Sequence, residues 1–79
     1  MKDGRARILI IRSLNKKGLQ ESTVKRVLSI ILHTHKTHGE EAAEQIATEL
    51  IKIVESSDTE DELLQKLDQR FTERIPMYL

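Results

Sequence analysis

The chain has 79 residues, of which 38% are apolar and 33% charged, with a formal net charge of zero. This is one small domain, residues 1–79, with enough apolar material for a single core and too much for a disordered tail; the absence of Cys excludes disulfides, thiolate metal sites, iron–sulfur clusters and a Cys nucleophile. The longest apolar run, Ile8 to Ile11, is far short of the roughly 20 residues that span a bilayer, so the expectation is a soluble cytoplasmic protein without membrane attachment.

Gly18, Gly39, the polar stretch Ser56-Ser57-Asp58-Thr59 and Pro76 divide the chain into four segments of helical length. In the first, Gly4 to Lys17, Asp3 is positioned to cap the N-terminus and Gly18 to close the C-terminus in the left-handed conformation. Ile10, Ile11 and Leu14 fit one helical face. The run Ile8 to Ile11 is also β-branched enough for a short buried strand.

The second segment, about Ser22 to His38, carries Val24, Val27, Leu28 and Ile31 at helical spacing, with Ile30 and Leu32 widening the stripe. Ser22 is placed to cap it and Gly39 to end it. The third, Glu40 to Glu55, sets Glu40, Glu41 and Glu44 near the positive end of its dipole and directs Ala43, Ile46, Ala47, Leu50, Ile53 and Val54 inward. Its alanines, Ala42, Ala43 and Ala47, permit a close approach by another helix. The fourth opens with Thr59-Glu60-Asp61-Glu62, the form of a capping box, followed by Leu63, Leu64, Leu67 and Phe71 at helical spacing. Pro76 stops that helix before Ile75, and Ile75, Met77, Tyr78 and Leu79 form an apolar tail expected to dock.

These segments predict an all-α fold, a compact four-helix bundle or paired helical hairpins, the alternative being α+β with a short N-terminal strand. A core this small rarely supplies more than about 3–5 kcal/mol, and without disulfides oligomerisation is the remaining staple. A homodimer is therefore expected, with Ile30, Leu32, Ile51, Met77, Tyr78 and Leu79 as its candidate interface.

Among polar residues, His33, His35 and His38 stand out. His35 and His38 share the stripe of Leu28 and Ile31, while His33 points roughly to the opposite side, so three imidazoles on one metal are not expected. His35 and His38 with Glu41 could in principle hold zinc, but imidazoles at a helix C-terminus are explained by the dipole alone. Ser13, Ser22 and Ser29 lie on helices without a strained turn or an oxyanion hole to activate them, so neither an enzyme nor a cofactor is expected.

Charge is unevenly distributed. Met1 to His38 holds nine Lys or Arg against two acids, a net of +7, and Gly39 to Leu79 holds four against eleven, a net of −7. Arg12, Lys16, Lys17, Lys25 and Arg26 gather around the Gly18 turn as candidate nucleic-acid contacts. The bland explanation is neutralisation between the two halves or between subunits. A helix-turn-helix built on Gly18 matches weakly, because Leu14 and Lys17 occupy positions where that motif wants a small and an apolar residue. Both aromatic residues, Phe71 and Tyr78, belong to the acidic half, so no stacking platform accompanies the basic one. The sequence thus points to a non-enzymatic regulator or adaptor acting through helix-mediated protein contacts, with a nucleic-acid-binding regulator as the alternative.

Overall fold

The computed structural model describes residues 5–72, with side chains from Ile8 onward. Helices α1 (Arg5–Lys17), α2 (Glu21–His38), α3 (Glu40–Ser56) and α4 (Glu60–Arg70) follow in order, and no strand occurs among the described residues. The all-α expectation holds over the α+β alternative, since Ile8 to Ile11 lies inside α1. Gly18 ends that helix as expected: at φ 65° it adopts the left-handed conformation, and its N–H donates to the Asn15 carbonyl at 3.2 Å. The Asp3 cap, the Pro76 stop and the docking of Ile75 to Leu79 lie outside the described residues.

Side-chain contacts fix the helix directions. Ser13 donates to Glu55 and Lys17 to the Ser57 carbonyl, so the C-terminal ends of α1 and α3 sit together and the two helices run the same way. Gly39 alone joins α2 to α3, its φ of 96° allowing the chain to reverse within one residue. Lys66 reaches Ser56 and Arg70 reaches Glu49, which runs α4 back along α3. The result is a bundle in which α3 packs against α1, α2 and α4.

That central position explains the width of the apolar stripes. Ile10 and Leu14 of α1, Val27, Ile30 and Ile31 of α2, Ala43, Ala47, Leu50 and Val54 of α3, and Leu63 and Leu67 of α4 form one core. Ile46, Ile51 and Ile53 of α3 pack against its margin. The stripe is wide because α3 has neighbours on several sides, not because a face is spare.

Two helix ends differ from expectation. Ser22 does not cap α2: the helix begins at Glu21, its N-cap is Gln20, and Gln20 makes no side-chain cap. Instead the Glu60 carboxylate of α4 accepts the Gln20 N–H at 3.4 Å and the Thr23 hydroxyl, so the positive end of α2 is met by an anion from another helix. At α4, Thr59 Oγ1 accepts the Glu62 N–H at 3.1 Å as a capping box requires, but Glu62 reaches back to the N–H of Asp58, at 2.9 Å, one residue beyond the usual partner. The helix ends at Arg70, with Phe71 as its C-cap and not its last turn.

Candidate docking face on the first helix

Helix α1 is held to the bundle along one side only. Ile10 and Leu14 enter the core, the Ser13 hydroxyl donates to Glu55 at 3.1 Å, and Lys17 Nζ donates to the Ser57 carbonyl at 2.8 Å. The last contact has an electrostatic reason. The last turn of α3 contains no basic residue of its own, and Lys17 of α1 with Lys66 of α4 brings positive charge to its negative end.

The other side of α1 faces outward and is apolar in its first half. Ile8 is 52% exposed, Leu9 44% and Ile11 44%, and they are the only exposed large apolar side chains among the described residues. Ile11 was expected beside Ile10 and Leu14 on the core face. At about 100° per residue, four consecutive helical positions sweep about 300°, so a single core contact cannot bury them all. The run itself was therefore the available signal. Further along the same side stand Arg12, Asn15 and Lys16, all exposed.

The expected interface residues lie elsewhere. Ile30 is 2% exposed and belongs to the chain's own core, so it has no surface to offer a second chain. Leu32 is half-buried, and Ile51 is half-buried against the core margin. Met77, Tyr78 and Leu79 lie outside the described residues.

The five candidate nucleic-acid contacts are not equivalent. Lys17 serves α3 as described, Lys25 pairs with Glu21 at 3.4 Å, and Arg26 pairs with Asp68 of α4. Thr23 and Arg26 are turned toward α4. Of the five, only Arg12 and Lys16 have neither a hydrogen-bond nor an ion-pair partner among the described residues.

The histidines divide differently from the sequence grouping. His33 and His38, with Thr34, Ala42, Arg70 and Phe71, line an open groove of about 490 Å³ between α2, α3 and the end of α4, while His35 is exposed outside it. The groove's one cation is already committed: Arg70 pairs with Glu49, which raises its pKa further above the ordinary arginine value, and stacks 5.0 Å over the Phe71 ring. No three His, Asp or Glu residues come together as a metal-ligand set among the described residues, and Glu41 does not join His35 and His38. Of the serines, Ser13 is bound to Glu55 and Ser29 is buried.

No helix among the described residues is long and apolar enough to cross a membrane. The chain matches no protein-family model, no curated protein and no solved structure.

Proposed function

We propose that the protein is a small non-enzymatic regulator or adaptor that works by presenting the outward face of α1 to a protein partner. The observation that carries this reading is the placement of Ile8, Leu9 and Ile11: three large apolar residues within one turn of helix, exposed, where the other large apolar side chains among the described residues are covered to half or more. Contiguous exposed apolar residues commonly mark interaction sites, whereas scattered single ones need no explanation. The face is also backed by a rigid support, because Ile10, Leu14, Ser13 and Lys17 fix the helix to α3.

The test compares proteins co-purifying with the wild-type chain and with an Ile8→Asp/Ile11→Asp variant from cells of the source organism. A protein retained by the first and lost by the second, with helix content and unfolding midpoint unchanged, supports the proposal. Equal recovery by both contradicts it.

A nucleic-acid-binding regulator is the second reading, favoured by the exposure of Arg12 and Lys16 on a helix that has five basic residues and no acid. Its test is charge reversal at Arg12 and Lys16 alone, since reversing Lys17 or Arg26 would also break contacts within the bundle. Submicromolar binding to duplex DNA at physiological salt, abolished by that pair of changes, would place this reading first.

A further inference from the structure

We infer that the partner seated on α1 is an acidic amphipathic helix of a different protein, an inference that rests on the docking role proposed for this face. The charge of α1 is the reason. Arg5–Lys17 contains Arg5, Arg7, Arg12, Lys16 and Lys17 and no Asp or Glu. Two copies of the chain meeting through this face would bring Arg12 and Lys16 from each side together, with no carboxylate on either helix to offset them. Like charges facing each other across an interface are a device for rejecting a partner.

A second copy fares no better if it offers the described helices of its acidic half. Helices α3 and α4 present carboxylates such as Glu41, Glu55, Asp61 and Asp68, but no exposed large apolar side chain to cover Ile8, Leu9 and Ile11. An anionic lipid surface matches the cations and the apolar residues of α1. It must, however, also approach the remainder of a chain whose residues 39–79 carry a net charge of −7. Nucleic acid would meet Arg12 and Lys16 but leave the isoleucines without an apolar counterpart. A helix with an apolar stripe flanked by Glu or Asp satisfies both halves of the face, because Ile8 and Ile11, at i and i+3, form the kind of ridge that packs into a facing helix groove.

The experiment is selection from a displayed library of random amphipathic helical peptides, using the full chain as bait. Winners are then measured by anisotropy against wild type and an Ile8→Ser/Ile11→Ser variant, with phosphatidylserine vesicles and sedimentation of the chain alone run beside them. The expected winners carry an apolar stripe and net negative charge. They lose about tenfold or more in affinity to the double variant, and weaken as salt rises from about 0.1 M to about 1 M, where the Debye length falls from about 10 Å to about 3 Å. Winners that need Ile8 and Ile11 but are neutral or basic overturn the acidic partner and leave the docking face standing. Winners indifferent to the double variant, or no winners at all, overturn the docking face itself. Self-association lost in the double variant replaces the partner by a second copy, and vesicle binding lost in it replaces the partner by a lipid surface; either result overturns the inference.

Discussion

Glu60 and Glu62 stand two residues apart at the start of α4 and serve different helices. Glu60 accepts the Gln20 N–H and the Thr23 hydroxyl, completing α2, whereas Glu62 accepts the Asp58 N–H and pairs with Lys66 at 3.3 Å, completing its own helix. Thr23 is 3% exposed, so its hydroxyl depends on Glu60. Replacing it with the similarly shaped valine, Thr23→Val, is expected to cost about 1–2 kcal/mol, the scale of a hydrogen bond to a charged group in partly solvated surroundings, read as a lowered urea midpoint. An unchanged midpoint would mean that the Thr23–Glu60 contact contributes nothing. The Asp58 N–H, and after it Lys66, hold the Glu62 carboxyl below its ordinary pKa of 4.5. A lowered folded-state pKa gives stability that is fully present above the unfolded value and is lost as pH falls through the folded one. Glu62→Gln should therefore flatten the acid limb of the stability profile below about pH 5 while changing little near neutrality. Parallel acid limbs for the two proteins would contradict the role given to Glu62.

Among the elements, α3 was readable from its sequence because one pattern sets both its period and its inward residues: Ala43, Ala47, Leu50 and Val54 recur at helical spacing and all are buried. The start of α2 was not readable, because the group that completes it, Glu60, lies 40 residues from Gln20. No local signal at Ser22 can report an acceptor supplied by another helix. Helix α1 was readable as a helix but not in its orientation. Ile10 and Leu14 were placed inward correctly; Ile11 was not, because the sequence does not show how many neighbours a helix will have. The same ignorance affected α2, whose Ile30 looked surplus but is buried in the common core. Turn chemistry was the most local signal and the most secure. Gly18 stands at φ 65° with nothing within 4 Å of where a Cβ would lie, so Gly18→Ala meets a purely conformational penalty of about 1–2 kcal/mol. Calorimetry should show a lowered Tm with no change in helix content, whereas a Tm equal to wild type would mean that the turn relaxes without cost.

At the scale of the whole molecule, the basic and acidic halves are partly joined within one chain. Arg26 pairs with Asp68, Thr23 with Glu60 and Ser13 with Glu55, each linking α1 or α2 to α3 or α4. This internal matching absorbs charge at the seams and leaves Arg12 and Lys16 on the outward side of α1, beside the exposed Ile8, Leu9 and Ile11. The charged part of the candidate site was legible in sequence through Arg12 and Lys16; its apolar part emerged only when Ile8, Leu9 and Ile11 were found on the solvent side. The central claim is that this face receives the partner. Chemical-shift mapping of the isotope-labelled chain, titrated with a protein that co-purifies with it, tests that claim most directly. The account predicts that amide perturbations concentrate between Ile8 and Lys16 while the buried residues from Ala43 to Val54 stay in place. Perturbations confined to α4 or to the groove around His33 and Phe71, with α1 unmoved, would contradict it.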